Sequence, residues 1–459
     1  MHGLVWLKGT AGRVLRAEGG MLAMLQTIIA QGLTVGVNVV TGVITARLLG
    51  ATGRGEFAAA VLWLLLPGML SVSGIQNAVL FEARRRPSDS ASVTLAGFLL
   101  NAASFLPVAL VCMALLPYLL RDYPPAIQSL ARTVDVIAVI NGWTVVARQS
   151  LLVERNFRGY NMSGYGSAFV YLLILLPLAA LHHVTPASAV WAQVAASCLV
   201  LLLTAGAVIR RWQWRALRPW QPLRAMAIYS LKSAPIDVVS QLAGNIDRLV
   251  LVGLISPAAF GLYAVANSFA RILNVLQVAI SSVMFADLAS RPRAEIQLFV
   301  HRAFRLLLWG LAGADIVLFL FDNRLLGFVY GGDFADAVPV FRILLIDASL
   351  SCVTQMVMQG YLAAGVPSIA ATIQVISFCI TLATMFVLAP RLGAMGAAGA
   401  LVTGSLFKAI SLVACLPRIG IARPGLVPRS EDFDNILQKL RGGRVSKPPG
   451  VAGEVGHAD

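Results

Sequence analysis

Two cations stand where a bilayer tolerates them least. Arg271 falls about 14 residues from either end of an apolar stretch over 257–286, and Lys408 about nine residues inside one that ends near 417. At 1.5 Å per residue that places Lys408 roughly 13 Å deep, and an isolated cation at such depth costs about 2.5 to 3.5 kcal/mol. Each needs a negative partner, either a carboxylate such as Asp237, Asp315 or Asp347, or an anionic ligand. Arg248, Lys232 and Arg148 extend the set of candidate cavity cations, although Lys232 and Arg148 lie nearer helix ends. Polar residues recur beside them at helical spacing. Thr27, Gln31, Thr34, Asn38, Thr41 and Thr45 share one narrow face, as do Ser233, Asp237, Ser240, Gln241, Gly244 and Arg248, and again Asn267, Arg271, Asn274 and Ser281. Such stripes either hydrogen-bond between helices, at about 0.6 kcal/mol per contact, or line a polar cavity with Gln31, Asn38, Asp237, Gln241, Asn267 and Asn274 as its lining. Asp247 beside Arg248 also fits a structural ion pair with a neighbour.

The elements that must hold these residues follow from composition. The chain has 459 residues, 58% of them hydrophobic and 12% charged, with a net charge of +15. A soluble domain is about 25% charged, so this chain belongs in a membrane. The excess positive charge sits at the ends of apolar runs and forms no basic domain, which argues against nucleic acid as a partner. Cys112, Cys198, Cys352, Cys379 and Cys415 all lie inside apolar runs without metal or redox spacing, and His182 and His183 share a short polar turn. The glycines of Gly50 to Gly55 lack the Lys-Ser/Thr of a phosphate loop, and no nucleophile elbow is present. The expectation is no catalytic residue, no metal, no cofactor and no enzyme.

Apolar runs place helices at about 22–46, 57–80, 93–119, 134–153, 165–181, 187–209, 226–254, 257–286, 303–321, 337–363, 367–390 and 395–417. The first run is too long for a signal peptide. Twelve spans put both termini on one side, and the connections on that side carry 23 of the 36 Lys and Arg, against six opposite. The positive-inside rule makes the termini cytoplasmic. This divides the chain into a cytoplasmic segment 1–21, a six-helix bundle 22–209, a basic linker 210–225, a second six-helix bundle 226–417 and a disordered cytoplasmic tail 418–459 rich in Pro, Gly and charge.

The two bundles repeat. Arg47 to Phe57, with Gly55, matches Gly253 to Tyr263, with Gly261, at an offset of 206 residues, and Phe157 to Asn161 matches Ala364 to Ser368 at 207. In transporters such repeats place the substrate between the halves near the midplane. The run Asn245 to Gly253 followed by Ser256 to Ala264, with Leu48 to Gly50, Gly55 to Phe57 and Val329 to Ala337, resembles the polysaccharide-export branch of the multidrug/oligosaccharidyl-lipid/polysaccharide flippase superfamily over roughly 22–417. The resemblance implies an all-α polytopic membrane protein of about twelve helices in the bacterial inner membrane. It further implies translocation of an undecaprenyl-diphosphate-linked oligosaccharide by alternating access, with membrane lipid, a coupling ion and other polysaccharide-assembly proteins as further partners. A diphosphate would satisfy both Arg271 and Lys408. Two alternatives stay open: a drug or ion antiporter of the same superfamily, which would favour acidic cavity residues, and a membrane-embedded polysaccharide polymerase, which would need a sizeable extramembrane domain.

Overall fold

The computed structural model describes residues 20–210, 212, 217–270, 273, 293–364, 366–425 and 427. These form long helices without strands, as a bilayer demands of a chain that must satisfy every backbone group internally. In order they are α1 Gly20–Ser71, α2 Ile75–Arg85, α3 Ser90–Leu119, α4 Pro125–Ile137, α5 Val139–Val153, α6 Phe157–Ala180, α7 Pro186–Ile209, α8 Trp220–Leu254, α9 Pro257–Ala270, α10 Arg293–Tyr330, α11 Ala337–Ala363 and α12 Pro367–Cys415. Local signals fix several ends. Thr185 and Ser188 cap α7 reciprocally with Pro186 at its first position, and the Asn156 side chain accepts from the Gly159 N–H at the start of α6.

Eight helices among the described residues are long and apolar enough to cross a membrane, and two of these fold back on themselves. In α1, Gly50 adopts φ +66°, and the Arg54 guanidinium lies 4.0 Å from the Cβ position of Gly42. Twelve residues of continuous helix would hold those residues about 18 Å apart, so the chain reverses at Gly50. Likewise Gly393 has φ +58° in α12, and Ser377 Oγ donates to the Gly404 carbonyl at 2.8 Å across that turn. The sequence reading therefore needs correction here. The stretch 47–56 is no loop but a one-residue turn, and Arg54 stands one turn into a helix. The span expected over 57–80 is broken at Ser71–Gly74, and that expected over 134–153 begins at Pro125. The tail is ordered further than expected: Ile419 and Ile421 pack with Val300, Phe304 and Leu416, and His301 Nε2 meets the Ala422 carbonyl at 2.6 Å.

Helices preceding residue 210 pack among themselves, and α9 to α12 do the same. We call the end where the 210–219 connection lies the linker end, and the opposite one the far end. At the far end a single apolar core runs through both halves, joining Trp63, Leu116 and Leu175 to Phe260, Tyr263, Tyr330 and Phe341. Toward the linker end the cores separate. One holds Val300, Met356, Tyr361 and Leu412 of the second half, the other Val79, Val93 and Val146 of the first with Met226 of α8. The halves are thus welded at the far end and part toward the linker end, where α8 bridges them.

The weld is a backbone contact between the repeat-equivalent glycines. A Cβ on Gly55 would lie 1.8 Å from the Pro257 carbonyl oxygen, and one on Gly261 would lie 1.9 Å from that of Ala51. Adding the offset of 206 to 51 gives 257, and to 55 gives 261, so the two contacts are one contact seen from either side of a pseudo-two-fold axis. The Arg47 guanidinium reinforces it by donating from Nε to the Val329 carbonyl at 2.7 Å and to that of Phe328, at the end of α10.

A second contact fixes α8 to the first half. Gly74, at φ +76°, breaks the helix between α1 and α2, and its Cβ position would lie 2.4 Å from the Ser230 carbonyl oxygen. Asp237 Oδ2 accepts there from the Gly74 N–H at 2.8 Å, from Asn77 Nδ2 at 2.9 Å and from Gln76 Nε2 at 3.3 Å.

Two outcomes are expected in thermal unfolding of the detergent-purified protein. Gly55→Ala and Gly261→Ala should each destabilise by about 1 to 3 kcal/mol, the cost of overpacking, and the double variant should lose less than the sum because both relieve the same contact. Gly206→Ala, with nothing within 4 Å, should lose nothing; equal melting of all three would refute the weld. Asp237→Ala should strand its donors at about 1 to 3 kcal/mol, with Asp237→Asn milder because one acceptor oxygen remains. An unchanged melting point for Asp237→Ala would remove that residue from the joint.

Candidate functional site

Two cavities gather the polar residues. The first, of about 140 Å³, lies between the halves near the far end and is walled by α1 on one side and by α8 and α9 on the other. Its charged lining is Arg54 and Arg248, its polar lining Asn245, Tyr263 and Ser268, and an apolar wall of Val61, Leu62, Leu65, Leu66 and Met69 completes it. Among the described residues no Asp or Glu lines it. Arg54 is 9% exposed, lies over the Phe57 ring at 5.1 Å from the centroid, and has its Nε buried without a hydrogen-bond partner. The turn at Gly50 is what brings it there.

The second cavity, about 260 Å³, lies wholly within the second half between α8, α9, α11 and α12. Asp247, Asn267, Asp347, Gln374 and Lys408 line it with several hydroxyls. Asp247 accepts from Tyr263 Oη at 2.7 Å and Asn267 Nδ2 at 3.4 Å, while Asp347 accepts from Ser405 Oγ at 2.5 Å and interacts electrostatically with Lys408. Close packing of Gly404 on Thr381, 1.8 Å from its would-be Cβ to Oγ1, draws the two arms of α12 together and so positions Ser405 and Lys408.

The residues singled out from sequence therefore divide among several places. Arg248 reaches the cleft between halves. Lys408 and Asn267 line the cavity of the second half, and Asp247 turns into that cavity, where Tyr263 and Asn267 donate to it. Asp237 serves the joint with Gly74, and the Gln241 carbonyl accepts from Asn245 Nδ2 at 3.0 Å. Arg148 lies over the Tyr160 ring at 4.6 Å in the first half, and Lys232 is exposed on α8. Gln31 and Asn38 are exposed on the first arm of α1, where the hydroxyls of Thr41 and Thr45 bond back to their own helix at 3.1 and 2.7 Å. Arg271 and Asn274 lie outside the described residues. Arg342 is paired with Asp322, Nη2 to Oδ1 at 3.3 Å. Arg54 escaped the sequence reading because its apolar run begins only at residue 57; the one signal for it was its place between the repeat glycines Gly50 and Gly55.

Comparison with solved structures identifies the architecture. The chain is similar to a structure described as lipid II flippase MurJ in an inward closed conformation, with a TM-score of 0.72, 13% identity and 91% of each chain covered. It is similar to an inward-facing multidrug resistance MATE family transporter of the MOP superfamily at a TM-score of 0.67, with 14% identity over 85% of this chain and 94% of the other. A MOP superfamily transporter from Pyrococcus furiosus, whose description notes a reverse polarity of the binding pocket, gives 0.60 at 13% identity over 89% and 97%. At such identities the likeness is one of fold. No curated protein matches in sequence. The family model described as polysaccharide biosynthesis protein matches residues 24–285, more than half of the chain, and the chain belongs to that family.

Proposed function

We propose that this protein is a flippase that carries an undecaprenyl-diphosphate-linked oligosaccharide across the bacterial inner membrane for polysaccharide export, by alternating opening of a cleft between its two halves. The observation that carries this reading is the described lining of the cleft: two arginines, no Asp or Glu among the described residues, and an apolar wall. Such a site suits an anionic headgroup on an apolar chain and disfavours the cationic drugs of a multidrug antiporter, because like charge in a low-dielectric cleft repels. Membership of the polysaccharide biosynthesis family supports the glycan, and the transporter fold supports translocation over polymerisation. The charge asymmetry of the connections makes the linker end cytoplasmic, so the described state is one closed to the outside.

Lys408 then acts at one remove. Its ammonium belongs to the second cavity beside Asp347, and that cavity is our candidate place for a coupling ion. Flux of fluorescent lipid-linked oligosaccharide in proteoliposomes tests both assignments. Arg248→Gln should cut flux at least tenfold. Lys408→Gln should keep substrate binding but lose the response of flux to an imposed ion or proton gradient. Transport of a cationic dye in place of the glycan would overturn the flippase reading. Orientation is read separately, by labelling from outside: a cysteine replacing Asp333 should react and one replacing Ser88 should not, and the reverse pattern would invert it.

A further inference from the structure

The rim that closes the far end is built differently on its two sides. On one side Arg47, exposed at the end of the first arm of α1, reaches across to the second half. There α10 ends because Gly331 takes φ +97° and its N–H bonds back to the Gly327 carbonyl at 3.0 Å. The last carbonyls of a helix have no donor within it and carry the negative pole of its dipole. Those of Phe328 and Val329 receive the Arg47 guanidinium, with Nε 2.7 Å from the Val329 oxygen. A cation with a fork of donors suits such an end, and here the cap of one half is carried by the other.

The repeat does not reproduce this bridge. Adding the offset of 206 to 47 gives Gly253, which has no side chain to reach across with. The end of α8 seats directly on the end of α3 instead: a Cβ on Gly253 would lie 2.8 Å from Leu119 Cδ2 and 3.4 Å from its Cα. Toward the linker end α8 is held to the first half a second time, by Gly74 and Asp237, and it passes into α9 through Ile255 and Ser256. That side is therefore tied by packing at two heights and by a two-residue connection. Hydrogen bonds of the Arg47 kind fail within about 1 Å of separation, whereas packing at a glycine survives rotation about it. We propose that Arg47 is a positioning residue, the latch of the far-end gate, and that this gate opens on one side. Arg47 and the end of α10 part, while Gly253 and Leu119 stay in contact as the pivot. This rests on the alternating opening proposed above and gives it a direction; the identity of the glycan does not enter.

Pulsed electron paramagnetic resonance between pairs of spin labels tests this on the full-length protein in lipid nanodiscs, with its five cysteines replaced by alanine. Labels at Thr52 and Ala335 flank the latch, and labels at Asp122 and Ser256 flank the pivot; all four positions are exposed. Arg47→Gln should raise the ratio of long to short distances for the Thr52 and Ala335 pair at least tenfold, the loss of a charged donor on two carbonyls, and leave the Asp122 and Ser256 pair unmoved. Arg47→Lys should recover part of the short population, because it keeps the charge and loses the fork. An arginine that merely caps α10 would give a lower melting point with wild-type distances at both pairs, and that result overturns the latch. Widening at both pairs, or at the Asp122 and Ser256 pair alone, overturns the pivot. Unmoved distances beside intact glycan flux leave the flippase and remove the latch; the expected distances in a wild type that moves no glycan leave the latch and remove the flippase.

Discussion

The approach of two backbones at Gly55 and Gly261 sets the geometry of everything between the halves. Neither position has room for a single further carbon, because the carbonyl oxygens of Pro257 and Ala51 occupy it. With α1 and α9 in contact at backbone distance, the shared core around Trp63 and Tyr263 closes, the α10 terminus comes within reach of Arg47, and Arg54 is carried to the inter-half wall. Contact without side chains also suits a joint that separates in the alternating mechanism proposed above. In lipid there is little hydrophobic penalty for parting two helices, so close packing and the hydrogen bonds at the rim supply most of what holds them.

Around that joint the protein distributes its buried charge unevenly. Four described carboxylates of the second half are satisfied: Asp247 by Tyr263 and Asn267, Asp315 by Ser349, Asp322 by Arg342, Asp347 by Ser405. In the inter-half cleft, by contrast, no carboxylate among the described residues pairs with Arg54. A buried cation at a surface that opens and closes has different surroundings in the two states, whereas one within a bundle keeps its neighbours. Inside the second bundle Lys408 interacts with Asp347; on the proposed reading, substrate charge is met at the cleft and a coupling ion inside that bundle.

What the sequence determined on its own was the environment, the class of fold and the repeat. Hydropathy fixes helices because a bilayer offers no other partner for backbone groups, and the offset of 206 residues emerges in three dimensions as the reciprocal contact of Gly55 with Pro257 and of Gly261 with Ala51. Helical periodicity also marked Arg248, Asp237 and Asn267 as residues that cannot face lipid. What only the tertiary structure decided was which body each faces. Periodicity gives an angle about a helix axis, but not the neighbour at that angle, so Asp237 turned out to hold Gly74 and Lys408 to belong to a cavity inside one half. The same limit hid Arg54. The polar interval at 47–56 reads as a loop, so the hydropathy does not show that a turn of one residue at Gly50 carries Arg54 to the wall between the halves.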